Sequence, residues 1–105
     1  MHGGTVKDSK ALGYVKELRN RAGVPMPTTI SLEWLLDERA REFMWEGHRR
    51  VDLIRFGKFT DVNYPWTLKG GILNGKIALP SYRTIFPIIQ SDLSSNSNLI
   101  QNEGY

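Results

Sequence analysis

The sequence predicts a mainly α fold, in which two to three helices are followed by a short β-hairpin and an irregular C-terminal segment. Apolar residues recur at helical spacing in the first half of the chain. Beyond Phe59 the charge falls and Pro, Gly, Ser and Asn dominate, with one Asn-Gly pair at Asn74. We therefore divide the chain into a polar lead-in at 1–8, a helical part at 9–59, and a hairpin with an irregular tail at 60–105.

The composition limits the classes of protein to consider. The chain has 105 residues, enough for one small domain, and 40% of them are hydrophobic, which allows a core. A formal net charge of +3 is too small to indicate a polyanionic partner by itself. Because there is no cysteine, disulfides and thiolate metal sites are excluded. No apolar run is long enough to span a bilayer, and no signal peptide is recognisable.

The first helix is predicted over residues 9–22. Ser9 can accept a hydrogen bond from an unpaired amide of the first turn, as N-cap residues do. Gly23 suits the left-handed position after a helix, and Pro25 and Pro27 prevent the helix from resuming. The apolar stripe of this helix consists of Leu12, Val15, Leu18 and Ala22.

The second helical pattern begins at Ser31, and Glu33 in its first turn is favoured by the helix dipole. A glycine costs about 1 kcal/mol relative to alanine inside a helix, so Gly47 weakens the pattern. The apolar spacing then resumes and stops at Gly57. We expect either one long kinked helix or two helices joined at Gly47. The apolar positions are Leu32, Leu35, Leu36, Ala40 and Phe43 before the glycine, and Val51, Leu53 and Ile54 after it.

The second half of the chain is predicted to contain little regular structure. The pair Asn74-Gly75 between two short apolar runs is the usual signal of a two-residue hairpin turn. Pro87 interrupts the run IFPII and restricts it to an edge strand or an extended segment. Ser91-Asp92-Leu93 can open one helical turn, and residues 94–98 are loop-like.

The second helical pattern also carries closely spaced charges. On a helical wheel Arg39 falls inside the apolar stripe, with Glu42 and Glu46 at its edge. Arg41 is expected to face solvent. Because an unpaired buried charge is costly, the carboxylates should bind the Arg39 guanidinium. We predict a structural ionic network that fixes how the helix docks, continued after the glycine at helix-neighbour spacing. Its members are Glu38, Arg39, Glu42, Glu46, Arg49, Asp52 and Arg55.

Two chemical interpretations of these charges stand as alternatives. A glycoside hydrolase needs two carboxyl groups roughly 5 to 9 Å apart, which Glu42 and Glu46 can span. Neighbouring arginines, however, lower the pKa of a carboxyl, whereas a general acid needs a raised pKa. A small nucleic-acid-binding helical domain would bind phosphates through His48, Arg49, Arg50 and Arg55. The nearby acids, however, nearly balance these bases. His48 and Glu46 also lack the spacing of a helical zinc pair. We predict no catalytic residue, no metal site and no cofactor.

The aromatic residues favour packing over ligand contact. Trp34 and Trp45 fall on the flank opposite the main stripe and are expected to meet another structural element. Tyr64 and Trp66 flank Pro65 in a loop. Loop aromatics can stack on sugar rings, although covering a small core is their commoner use. Tyr64 and Trp66 are therefore the candidate ligand-binding residues.

The charged stretch reads ERAREFMWEGHRRVDLIRFGKF. It closely resembles the C-terminal signature of the SusD/RagB outer-membrane lipoproteins of Bacteroidetes. The matching positions are Glu38, Arg39, Glu42, Glu46, Gly47, Arg49, Asp52, Leu53, Arg55 and Gly57. Two further segments match in the right order, ALGYVKELRNRAGVP before the signature and IFPIIQSDLSSNSNLIQNEGY after it. In the last segment Ile89, Ser97 and Glu103 stand where the family commonly has proline.

The resemblance implies that this chain is the C-terminal portion of a protein several hundred residues long. Such proteins are mostly helical, contain tetratricopeptide-like helix pairs, and are held at the surface of the outer membrane by an N-terminal lipid. They are not enzymes, and they bind glycans or other nutrients and deliver them to a SusC-type TonB-dependent transporter. Their principal sugar contacts lie mostly upstream of this portion. We expect no nucleic-acid partner, and this portion alone is expected to be soluble.

Overall fold

A computed structural model describes residues 4–105 and divides the chain into two compact units, one ending at Arg49 and the other spanning Arg50–Tyr105. The predicted mainly helical class is confirmed. In chain order the α-helices are α1 (Ser9–Arg21), α2 (Leu32–Glu42), α3 (Arg49–Arg55) and α4 (Gln90–Ser95), with 3-10 turns at Lys69–Gly71 and Ser81–Thr84. The tetratricopeptide arrangement stays a prediction.

Helix α1 lies close to its predicted range, but its N-cap is one residue earlier. The Asp8 carboxylate accepts a hydrogen bond from the Ala11 amide at 2.8 Å, and Ser9 is the first helical residue. The C-terminus ends as predicted, with Gly23 at a φ of 66°. The Val24 amide then donates to the Arg19 carbonyl at 3.0 Å, which satisfies a carbonyl that the helix would otherwise leave unpaired.

Helix α2 begins at the predicted cap. The Ser31 hydroxyl accepts a hydrogen bond from the Trp34 amide at 3.0 Å. The helix ends at Glu42, because Trp45 and Gly47 adopt left-handed φ values of 69° and 75° that no α-helix accommodates. Of the two predicted alternatives, the structure therefore has two separate helices, and the first ends before Gly47.

The first unit has a small apolar core made by both of its helices and the segment between them. Val15 on α1, Ile30 before α2 and Leu36 on α2 are buried, and Leu36 has no exposed surface. The chain before α1 is held against the same segment, because the Val6 amide donates to the Ile30 carbonyl at 2.7 Å. This packing brings the charged faces of α1 and α2 together.

The predicted hairpin is not found, since the described residues of the second unit form an isolated antiparallel bridge between Trp66 and Gly75 and no paired strands. Asn74 does adopt the left-handed conformation of a turn, at a φ of 57°. The glycine serves a different purpose, because a β-carbon at Gly75 would lie 2.5 Å from the Lys69 carbonyl oxygen. Asn74-Gly75 thus marks a close backbone approach to the turn at Lys69.

The C-terminal segment has one short helix and is otherwise held by side-chain amides. The predicted helical turn at Ser91 is confirmed as part of α4. The Gln101 side chain accepts from the Ile88 amide at 2.9 Å and donates to the Ile88 carbonyl at 2.8 Å. This pair of bonds reproduces what a neighbouring strand would supply, so an extended segment is stabilised without a sheet.

Candidate functional site

Glu38 is the centre of the charged cluster in the first unit. Glu38 as a whole residue is only 8% exposed. Arg19 on α1 donates from Nη1 to both carboxylate oxygens, at 3.1 and 3.2 Å. Arg41, one turn further along α2, donates from Nε at 2.8 Å. The carboxylate therefore joins α1 to α2 and is surrounded by guanidinium donors.

The environment of Glu38 shifts its protonation. Burial alone would raise the pKa of this carboxyl, but the hydrogen bonds from Arg41 and Arg19, together with their charges, outweigh burial and lower the pKa below its ordinary value. A general acid needs a shift in the opposite direction. The most buried glutamate of the stretch is therefore held ionised, in a structural position.

The pairing of Arg39 with Glu42 and Glu46 stays a prediction, and the structure shows further contacts of all three residues. Arg39 lies with its guanidinium carbon 4.9 Å from the centre of the Phe43 ring, and this is not its sole interaction. Glu42 pairs with Arg21 on α1, and Glu46 lies 4.0 Å from His48 Nε2. Glu38 and Glu42 thus bind arginines of α1, because packing brings the last turn of α1 against α2.

Arg41 faces solvent as predicted, and it also contacts Glu38. Its side chain is 56% exposed, yet its Nη2 lies 2.7 Å from the Glu38 carboxylate. Arg41 therefore belongs to the network although most of its side chain is exposed. The i, i+3 spacing of Glu38 and Arg41 on one helix is the sequence signal that could have identified this pair.

The later members of the predicted network lie in or beside α3. Arg49 donates to the Leu36 carbonyl at 2.9 Å and lies 3.6 Å from the Asp37 carboxylate. Asp52 is 2% exposed, and Arg55 is exposed at the end of α3. The network is thus distributed over several local pairs. That all seven residues form one structural ionic network stays a prediction.

The candidate ligand residues Tyr64 and Trp66 surround a lysine that sequence analysis did not single out. Lys69 has no exposed surface, and its ammonium donates to the carbonyls of Asp61 and Tyr64. The same ammonium lies 4.6 Å from the centre of the Trp66 ring. The Trp66 ring also stacks on Phe59 at a centroid distance of 5.8 Å. Both aromatic residues are half-buried, so much of their surface serves the loop itself.

Burial lowers the pKa of Lys69, and the charge of Asp61 only partly opposes that effect. A buried ammonium must find acceptors, and here it takes them from the backbone of the loop. The Lys69 ammonium therefore stabilises the conformation of residues 61–69 through its hydrogen bonds to the loop backbone. No sequence pattern marks it, since Lys69 lies between Leu68 and two glycines in an ordinary polar loop.

The two tryptophans near α2 occupy different environments. Trp34 is half-buried, with the Arg19 guanidinium carbon 5.9 Å from its ring. Trp45 lies beyond the end of α2 and is 94% exposed. The shared flank that the helical wheel predicted therefore does not exist, because the chain leaves the helix before Trp45. In the described part of the chain, no group of three or more His, Asp or Glu residues could hold a metal ion.

Comparison with known proteins identifies the family of this chain. The family model described as the SusD family matches residues 2–105. The chain belongs to the SusD family. It is 48% identical over 96 residues to the protein named Starch-binding protein SusD from Bacteroides thetaiotaomicron. This match covers 90% of the chain and 17% of that relative, so the chain spans about a sixth of the relative's length. The predicted resemblance is confirmed.

The structure assigns a physical role to the family signature in this SusD-family chain. Glu38, Arg39 and Glu42 place charge where α1 and α2 meet, and Gly47 has the positive φ that its position requires. Within residues 4–105, no helix combines the length and the apolar character needed to cross a membrane.

Proposed function

We propose that this chain is a non-catalytic part of a cell-surface glycan-binding lipoprotein, which delivers oligosaccharides to a TonB-dependent SusC-type transporter of the outer membrane. The observation that carries the proposal is the 48% identity, over 90% of the chain, to a relative named for binding starch. In this role the segment contributes structure, and the ligand is held mainly by other residues.

The geometry supports a structural role for the charges. The Glu38 carboxylate is occupied by arginines, and burial of the Lys69 ammonium is compensated by backbone carbonyls. Arg49 and Arg50 both donate to backbone carbonyls, those of Leu36 and Arg83. These guanidiniums are therefore engaged locally rather than arranged as a one-signed surface for phosphates.

The test uses the complete gene product that carries this sequence. It is screened against an array of neutral and charged glycans that includes starch, and an affinity-tagged form is recovered from outer membranes after crosslinking. We expect binding to at least one glycan and recovery of a TonB-dependent transporter. A product that binds no glycan and recovers no transporter would contradict the proposal. Turnover of a bound glycan would contradict its non-catalytic part.

A further inference from the structure

A cleft in the second unit is separate from the loop that holds Tyr64 and Trp66. It has a volume of about 380 Å³ and is lined by Ser81, Tyr82, Ile85, Glu103 and Gly104. Two short segments form its walls, the 3-10 turn Ser81–Thr84 with Ile85, and the last residues of the chain. Its volume lies within the range of small-molecule sites, which are roughly 300–1,000 Å³.

The walls of the cleft are held in place before any ligand binds. The Tyr105 hydroxyl donates to the Ile85 carbonyl at 2.8 Å, and the Tyr82 and Tyr105 rings meet edge to face at 4.9 Å. Gly104 has a φ of 93°, and a β-carbon there would lie 2.5 Å from the Tyr82 ring. The glycine therefore lets the tail approach the aromatic ring. A site built this way loses little conformational entropy when a ligand binds.

The lining groups have the chemistry of a carbohydrate subsite. The half-buried Tyr82 ring provides an apolar surface for the C–H groups of a sugar ring. The exposed Glu103 carboxylate can accept hydrogen bonds from sugar hydroxyls, and the Ser81 hydroxyl can donate or accept.

We infer that the cleft between residues 81–85 and 103–105 is a subsite for one neutral sugar ring of a glycan. This inference rests on the proposed function, since it takes the ligand to be a carbohydrate. A carboxylate beside aromatic rings would also suit a cationic amine. The exposure of Glu103 favours the neutral sugar, because water and salt screen the charge and leave hydrogen bonding as its main contribution.

The experiment is a two-dimensional NMR titration of the isotope-labelled 105-residue chain with maltoheptaose, with cellohexaose, and with methylammonium as the cationic probe. We expect a sugar to shift the signals of Tyr82, Gly104 and Tyr105 with millimolar affinity, as befits a single subsite. Glu103→Gln, which replaces one of the two acceptor oxygens by an amide nitrogen, should weaken binding about fivefold. Glu103→Pro should weaken it further.

Glu46→Gln, an exposed carboxyl in the first unit, is the matched control and should leave the titration unchanged. The spectrum of each free variant reports whether the Tyr82–Tyr105 contact is retained. The inference is overturned if neither sugar shifts Tyr82, if Glu103→Gln binds as tightly as the parent, or if methylammonium alone binds. Any of these three outcomes overturns the subsite alone, provided that the complete gene product still binds a glycan on the array. Loss of array binding is a failure of the proposed function instead.

Discussion

The Arg19 guanidinium on α1 reaches both carboxylate oxygens of Glu38 on α2, at 3.1 and 3.2 Å, where it also meets the face of Trp34. One side chain thus joins the two helices through a charge-assisted hydrogen bond and an aromatic contact. Its Nε further donates to the Pro25 carbonyl at 3.1 Å, which fixes the connection between the helices. The guanidinium is therefore a main determinant of how α1 docks on α2.

We expect Arg19→Ala to lower the free energy of unfolding by about 2–3 kcal/mol, because it removes one partner from a largely buried carboxylate. Arg41 remains to pair with Glu38, so the loss should be less than for a carboxylate left entirely unpaired. Urea unfolding followed by circular dichroism measures the change. Arg21→Ala is the control, since the Arg21 side chain is 66% exposed and should contribute about 0–1 kcal/mol. Equal losses in the two variants would contradict this assignment.

The lowered pKa of Glu38 predicts an acid-sensitive contribution to stability. The pKa in the folded chain lies below the ordinary 4.5, so the contribution is fully present above pH 4.5 and is lost as the pH falls through the folded-state pKa. Urea unfolding of the parent and of Glu38→Gln from pH 7 downwards provides the measurement. The stability difference between the two proteins should shrink as the pH falls. A difference that stays constant over this range would show that ionised Glu38 contributes nothing.

We expect Lys69→Met to destabilise the chain by about 2–4 kcal/mol, because the carbonyls of Asp61 and Tyr64 lose a buried donor. Hydrogen exchange should increase across residues 61–69. Burial lowers the pKa of Lys69 below 10.5, so the unfolded chain holds this proton to higher pH than the folded chain. The Lys69 contribution to stability should therefore rise with pH between the lowered value and 10.5.

The exposed Lys76→Met is the control for this substitution. It should leave both the free energy of unfolding and the exchange of residues 61–69 close to those of the parent. If Lys69→Met and Lys76→Met show the same hydrogen-exchange pattern, the buried ammonium does not shape the loop.

Two glycine substitutions are expected to act in opposite directions. A β-carbon at Gly75 would lie 2.6 Å from the Lys69 β-carbon, so Gly75→Ala should cost about 1–3 kcal/mol as the turn is forced apart. A β-carbon at Gly13, inside α1, meets nothing within 4 Å. Gly13→Ala should therefore stabilise the chain by about 0.5–1 kcal/mol through helix propensity. Thermal unfolding of both variants measures the two changes in stability. If Gly75→Ala matches the parent, the close approach does not exist.

Trp45 combines a left-handed φ of 69° with 94% exposure, so little packing opposes its replacement. Glycine adopts this conformation without a steric penalty, whereas alanine keeps the β-carbon. The relief of the left-handed conformation should favour Trp45→Gly over Trp45→Ala by about 1 kcal/mol. The extra conformational entropy of glycine in the unfolded chain reduces this difference, but we still expect Trp45→Gly to be the more stable variant. Paired urea unfolding measures the difference. The reverse order would show that the left-handed conformation is not present in solution.

Features that depend on neighbouring residues in the chain were predictable. The Ser31 cap, the end of α1 at Gly23 and the short helix at Ser91 all rest on local hydrogen bonds and allowed φ values. The N-cap of α1 was placed at Ser9 instead of Asp8, since two adjacent polar residues can both cap and only the backbone path selects one. The predicted hairpin is not confirmed, because Asn74-Gly75 specifies a turn and not the pairing of the segments on either side of it.

The sequence by itself determined the helical class, the main helix boundaries and membership in the SusD family, because periodicity, capping and the signature are all written along the chain. Tertiary structure alone decided that Glu38 takes its arginine from α1, that Lys69 is buried among loop carbonyls, and that Tyr82 and Glu103 line one cleft. Charged groups pair with whatever donor or acceptor packing brings within about 3 Å, so their partners depend on distances in space rather than along the chain.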